Sequence, residues 1–150
     1  MAGTYTKLLY HLVFSTKNRC PFINADLQPR LYAYMGGIVR SEGGALYEIG
    51  GIENHVHLVV RWIADVSISD FLRKLKRNSS LWVHETMPGM KRFGWQSGFG
   101  AFTVSESQLR KVRAYVLSQA RHHKRMDFKE EFIGLLDAHG IEYDPEMIWR

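Results

Sequence analysis

Two histidines, His55 and His57, stand one residue apart in the stretch "ENHVHLVV", Glu53 to Val60. Side chains alternate along an extended strand, so Val56, Leu58, Val60 and Trp62 share one face while His55, His57, Val59 and Arg61 share the other. The two imidazoles therefore project together, near enough to bind one ion or one phosphate. Two nitrogens alone rarely hold a divalent cation, and catalysis further requires a nucleophile. The run Glu106 to His123 offers candidates for both. Leu109, Val112, Val116 and Ala120 mark an apolar helical stripe, and Tyr115 and Gln119 sit four residues apart on its shoulder, with His122 one further turn along. A hydroxyl and an amide oxygen would then point at one spot beside the packed face.

These groups need a scaffold, and the patterning supplies one. Tyr5 to Ser15 alternates: Leu8, Tyr10, Leu12 and Phe14 lie on one face, and Lys7, Leu9, His11 and Val13 on the other, as in a strand. Leu27, Leu31, Tyr34 and Ile38 fall at helical spacing, with "EGG" at Glu42 to Gly44 as a stop. Ala45 to Gly50 and His55 to Trp62 read as a hairpin turning at "GIEN". A second helix opens with Ser67 as cap and Asp70 three residues on, carrying Ile68, Phe71, Leu72, Leu75 and Trp82 as its stripe. After "MPGM" the chain runs through "WQSGFGAFTVS" into a fourth strand, then the helix Glu106 to His123, then a last helix from Phe128 to Ala138 ended by Gly140. This order predicts an α+β fold, a ferredoxin-like antiparallel sheet with helices mainly on one face, leaving the other face for a site.

At 150 residues with 45% apolar content, the chain is expected to form a single domain spanning residues 1–150. No apolar run is long enough for a membrane span, no leader is visible, and the lone Cys20 permits no internal disulfide, so a cytoplasmic location is expected and no membrane partner. The formal charge is +5 and the pI about 9.4. The positive charge clusters in "RKLKR" (Arg73, Lys74, Lys76 and Arg77 around Leu75) and in "RHHKR" (Arg121, His122, His123, Lys124, Arg125), with Lys17 and Arg19 near the first strand. Two such patches in a basic chain point to a phosphate-bearing partner.

The strand motif "HVH" and the helix "YVLSQARHH" resemble the histidine-hydrophobic-histidine motif and tyrosine helix of single-tyrosine HUH transposases, which move insertion sequences as single-stranded DNA. "YHLVFSTKNR", "LKRNSS" and "GFGAFTVS" extend the likeness, in order, over most of the chain. The resemblance implies an RNA-recognition-like fold with a mobile C-terminal tyrosine helix. It implies that His55, His57 and Gln119 hold Mg²⁺ or Mn²⁺ and that Tyr115 is the nucleophile. It also implies a homodimer in which one subunit's tyrosine helix can complete its partner's site, acting on single-stranded DNA with hairpin ends.

The chemistry suits such a substrate. An anionic phosphodiester repels an attacking oxygen unless charge is neutralised, and a cation on neutral imidazoles and an amide keeps most of its charge. At pH 7 only about one phenol in a thousand is ionised, so Tyr115 needs that help. Once formed, a phosphotyrosine ester conserves the broken bond for rejoining. Moving a segment requires cuts at two ends, and two chains supply two phenols. Arg73, Lys74, Arg77, Arg121, His122, Lys124, Arg125, Lys17 and Arg19 are then candidates to hold the DNA backbone, and Phe22, Trp95 and Phe99 to stack on unpaired bases. Two other readings fit parts of the pattern. A histidine phosphoesterase on a similar sheet would want a second histidine motif, towards which only His11 is present, and a non-catalytic hairpin-binding module would leave Tyr115 unused.

Overall fold

Alternation along the first and third strands sorts the side chains onto two sheet faces, and the helices pack accordingly. The computed structural model describes residues 3–150. The chain runs β1 (Leu8–Ser15), α1 (Leu27–Ser41), β2 (Ala45–Ile52), β3 (His55–Trp62), α2 (Ile68–Thr86), β4 (Gly100–Thr103), α3 (Leu109–Leu117), α4 (Gln119–His122) and α5 (Phe128–Ala138), with 3-10 turns at Lys17–Arg19 and Glu106–Gln108. The four strands form one sheet in the order β2-β3-β1-β4, every neighbour antiparallel. That is the α+β, ferredoxin-like plan expected from the order of elements.

Local signals explain most boundaries. Ser67 Oγ accepts from the Asp70 amide at the start of α2, and Asp127 Oδ1 accepts from the Glu130 amide at the start of α5. Gly43, at φ 94°, closes α1 in the left-handed conformation that glycine takes most readily. β1 begins at Leu8 rather than Tyr5, because its register pairs Leu8 with Trp62, the last residue of β3, and leaves Tyr5 with no strand opposite and 93% exposed.

One face of the sheet, carrying Leu12, Phe14, Val56, Leu58 and Val60, packs against Leu27, Leu31 and Met35 of α1 and Phe71, Leu72 and Leu75 of α2 in the main core. The opposite face carries the histidines and is also covered. Val13 and Phe102 meet Phe128, Phe132 and Leu136 of α5 in a second apolar cluster. Beside it α3 lies directly on β2. Gly50, paired with His57 across the hairpin, faces the backbone of Val116 so closely that a Cβ built there would stand 2.2 Å from the Val116 carbonyl oxygen. Among the described residues no helix is long and apolar enough to cross a membrane.

Gly50→Ala should therefore push α3 off the sheet. We expect a loss of about 1–3 kcal/mol in denaturant unfolding, a typical cost of overpacking, with amide chemical shifts of Leu109–Leu117 displaced and those of α1 unmoved.

Candidate metal and nucleophile site

β3 places His55 and His57 side by side on the face that α3, α4 and α5 cover, and both are fully buried. Each ring is held from behind through Nδ1. His55 Nδ1 lies 2.8 Å from Asn54 Oδ1, and His57 Nδ1 lies 2.8 Å from Nε2 of His11, the residue of β1 that stacks on it at a ring separation of 5.0 Å. Both Nε2 atoms therefore point inward, at a carboxylate that the sequence reading did not single out. Glu131 Oε1, from α5, is 3.2 Å from His55 Nε2 and 3.1 Å from His57 Nε2.

Gln119 joins them because the expected helix Glu106 to His123 is broken. Ser118 turns its Oγ back to the Tyr115 carbonyl at 3.1 Å, competing with the helical bond there, and α3 ends at Leu117. The chain restarts as the single turn α4, which brings Gln119 Oε1 within 2.9 Å of His55 Nε2. Tyr115, on the last turn of α3, directs its hydroxyl to Glu131 Oε2, and its ring meets His57 edge-on at 5.8 Å. The structure brings together Tyr115, His55, His57 and Gln119, and adds Glu131 and His123.

His123 Nε2 lies 3.0 Å from Glu131 Oε1 and 3.1 Å from Gln119 Oε1, while its buried Nδ1 has no hydrogen-bond partner among the described residues. Its proton therefore belongs on Nε2, shared between the two oxygens. Its neighbour His122 sits outside the cluster, tilted over the Tyr115 ring at 4.7 Å and bonded to Ser118 Oγ. A signal for Glu131 was present in the sequence: it occupies an apolar-stripe position of α5, between Phe128 and Phe132, where an acid is out of place unless it is used.

These residues fit a divalent cation. His55, His57 and Glu131 offer donor atoms within 4.8 Å of one another. A neutral His55 has one N–H to share between the Asn54 oxygen at Nδ1 and the Gln119 and Glu131 oxygens at Nε2, so one side always meets a lone pair. A cation shared by all three resolves the conflict, and imidazole, carboxylate and amide form a nitrogen and oxygen set without thiolate.

Burial acts on every titrating group here. It would raise Glu131, but hydrogen bonds from His55, His57 and Tyr115, with the attraction of His57, outweigh it and hold the carboxyl well below the usual range. Burial pushes the Tyr115 phenol above its ordinary value, and the adjacent Glu131 carboxylate pushes it further. Burial lowers His57, and lowers His11 to about 3, the repulsion between the two rings adding to it.

The expected DNA contacts divide between two surfaces. Arg121, Lys124 and Arg125 are exposed beside the tyrosine helix. Arg73, Lys74 and Arg77 lie on the solvent side of α2, across the sheet from the histidines. Arg73 pairs with Asp70 and Lys74 with Glu42, each at 3.0 Å, while Arg77 is exposed. Within the same run Lys76 turns inward, donating to the Gln96 and Gly98 carbonyls, and burial pushes it down to about 8. Exposed Lys17 shares a cleft with Phe22, Lys91 and Arg92, and Arg19 lies over the Trp149 ring at 5.3 Å. Of the aromatic candidates, Trp95 packs edge-on against Phe14 and bonds Ser79, Phe22 leans on Phe93, and only Phe99 is exposed.

Comparison with known proteins places this geometry. Residues 4–119 match the family described as transposase, IS200-like. The ISDra2 transposase TnpA of Deinococcus radiodurans is 25% identical over 122 residues, which cover 78% of this chain and 87% of that protein. A crystal structure from Deinococcus radiodurans assigned as a transposase superposes with a TM-score of 0.67 at 25% identity, covering 77% of this chain and 93% of the other. The REP-associated tyrosine transposase bound to a REP hairpin superposes with a TM-score of 0.61 at 17% identity, covering 82% and 73% respectively, a likeness of fold. The family match ends at Gln119, so His123 and Glu131 lie beyond it.

The lowered histidines set an acid limit on stability. A base whose folded pKa is depressed stabilises the fold above its unfolded value, near 6.5, and that contribution is lost as pH falls towards the folded value. Without divalent ions, urea unfolding should show stability falling below pH 6.5, by up to about 1.4 kcal/mol per pH unit for each of His11 and His57. A flat profile between pH 6.5 and 4 would contradict their burial as neutral rings.

Proposed function

We propose that this chain, which belongs to the IS200-like transposase family of single-tyrosine HUH enzymes, cleaves and rejoins single-stranded DNA at insertion-sequence ends through a covalent 5′-phosphotyrosine on Tyr115. The observation that carries the reading is the carboxylate of Glu131, which has one oxygen on the histidine pair and the other on the Tyr115 hydroxyl. Nucleophile and charge-neutralising centre are thereby held in register.

His55, His57, Gln119 and Glu131 are the residues that would hold Mg²⁺ or Mn²⁺, which would neutralise charge on the scissile phosphate and so favour attack. Tyr115 Oη loses its proton as it attacks phosphorus, the bond from phosphorus to the 3′ oxygen breaks, and the departing 3′ oxygen takes up one proton to leave as a hydroxyl. A 3′ hydroxyl from another strand then attacks the same phosphorus, restoring a phosphodiester and freeing the phenol. At rest the phenol keeps its proton, because both burial and Glu131 oppose its ionisation. His123 steadies the two oxygen donors from behind.

Arg121, His122, Lys124 and Arg125 stand where they could hold the strand entering beside Tyr115, while Lys17 and Arg19 offer further cations just after β1. Arg73, Lys74 and Arg77 would serve DNA that wraps to the other face. A hairpin as substrate is supported by the fold neighbour that was solved with one. Two element ends need two phenols, which favours a homodimer.

Incubation with single-stranded hairpin DNA and Mn²⁺ should give a covalent adduct on a denaturing gel. Tyr115→Phe should abolish it, and His57→Ala, Gln119→Ala or Glu131→Ala should reduce it at least about tenfold, as loss of groups that hold or orient a metal does. Full adduct formation by Tyr115→Phe would remove Tyr115 as nucleophile. Each of Arg121, Lys124 and Arg125 that meets a phosphate should, when changed to Ala, lower the salt slope of DNA binding by about one unit.

A further inference from the structure

His11 belongs to the "YHLVFSTKNR" stretch and has no part in the chemistry described so far, yet it is buried against the site at 4% exposure. The sheet register makes the contact compulsory. β1 runs antiparallel to β3, with His11 opposite Val59 and Val13 opposite His57, so His11 lies diagonally beside His57 on the same face. Its Nε2 is 2.8 Å from His57 Nδ1, and the rings stack with planes 22° apart.

Both hydrogen-bonding atoms of that contact belong to imidazoles, so the bond has two self-consistent proton arrangements. In the first, His11 Nε2–H donates to His57 Nδ1, and His57 Nε2–H donates to the Glu131 carboxylate. In the second, His57 Nδ1–H donates to a His11 Nε2 lone pair, and His57 Nε2 becomes a lone-pair donor facing the site. Only the second can ligate a cation. Every N–H of His57 is satisfied in both.

We propose that His11 is a positioning residue that lets His57 exchange tautomers, so that a divalent cation is bound or released without leaving a buried N–H unpaired. The inference rests on His57 being a metal ligand, as argued above. The protons balance: one leaves His57 Nε2, one crosses the hydrogen bond from His11 Nε2 to His57 Nδ1, and one arrives at His11 Nδ1. The net charge of the pair is unchanged. His11 also forms part of the wall of a cavity of about 270 Å³ shared with Phe102, Lys111, Tyr115 and His139, which gives solvent protons a route to its outer side. His55 is held differently. Its Nδ1 faces the Asn54 side-chain amide rather than a second imidazole, so no ring partner relays a proton to it.

The test is imidazole ¹⁵N NMR on the full chain, with Zn²⁺ as a diamagnetic probe, beside calorimetry with Mn²⁺. Without metal, both His11 and His57 should carry the proton on Nε2, and with Zn²⁺ both should switch to Nδ1. His11→Phe keeps ring and volume but offers no acceptor, and its Mn²⁺ affinity should fall about 10- to 100-fold with little change in melting temperature. His11→Gln, whose side-chain oxygen can take the place of Nε2, should recover most of it. A ring merely filling space would show no difference between Phe and Gln. A His11 tautomer that stays the same when Zn²⁺ binds, or a Phe variant that binds Mn²⁺ as tightly as wild type, overturns the proposal. A wild-type chain that binds no divalent ion at all instead overturns the metal reading on which it stands.

Discussion

A single buried carboxylate organises the molecule's second face. Glu131 is 3% exposed, and Oε1 alone approaches the Nε2 atoms of three histidines. A carboxylate accepts hydrogen bonds and donates none, and burying one costs several kcal/mol unless its surroundings compensate. Compensation can come from protons on the imidazoles or from a cation among them. Either way the sheet, α3, α4 and α5 are tied to one oxygen pair, and anything that alters the charge there alters how those layers meet.

The layers can meet only because of two local irregularities in otherwise regular elements. Gly50 lets the backbone of α3 lie on β2 opposite His57, which brings Tyr115 over the histidines. Ser118 then interrupts the helix, so Gln119 is not displayed from the continuation of α3 but from a new turn aimed at His55. An unbroken helix would keep Tyr115 and Gln119 on one shoulder. The break lets the phenol reach one oxygen of Glu131 while the amide reaches His55.

Much of this was legible in the sequence because it depended on short-range periodicity. The alternation of β3 put His55 and His57 on one face, and the cap at Ser67 reflects a side chain-to-backbone bond that three residues can specify. The resemblance in "HVH" and "YVLSQARHH" supplied Tyr115 and Gln119. Glu131 was not found because its importance arises from packing between α5 and the sheet, over a separation of 74 residues from His57, and His123 takes its role from Glu131. Ser118 was read as one more helical position, since a hydroxyl that competes for its own helix's carbonyl leaves the apolar stripe intact. The single-sided picture of the helices likewise missed that Phe128, Phe132 and Leu136 form a stripe aimed at the histidine face.

The boundary of family likeness falls inside the site. Residues up to Gln119 supply both histidines, the phenol and the amide, while His123 and Glu131 come from beyond the matched span. α5 therefore does more than cap the sheet, since it delivers the carboxylate that ties Tyr115 and the histidines together and buries them in the same step. Fully buried imidazoles cannot meet a DNA phosphate while that cover is in place. Opening it would mean separating α5 from Val13 and Phe102, whose apolar cluster is far smaller than the core on the other face.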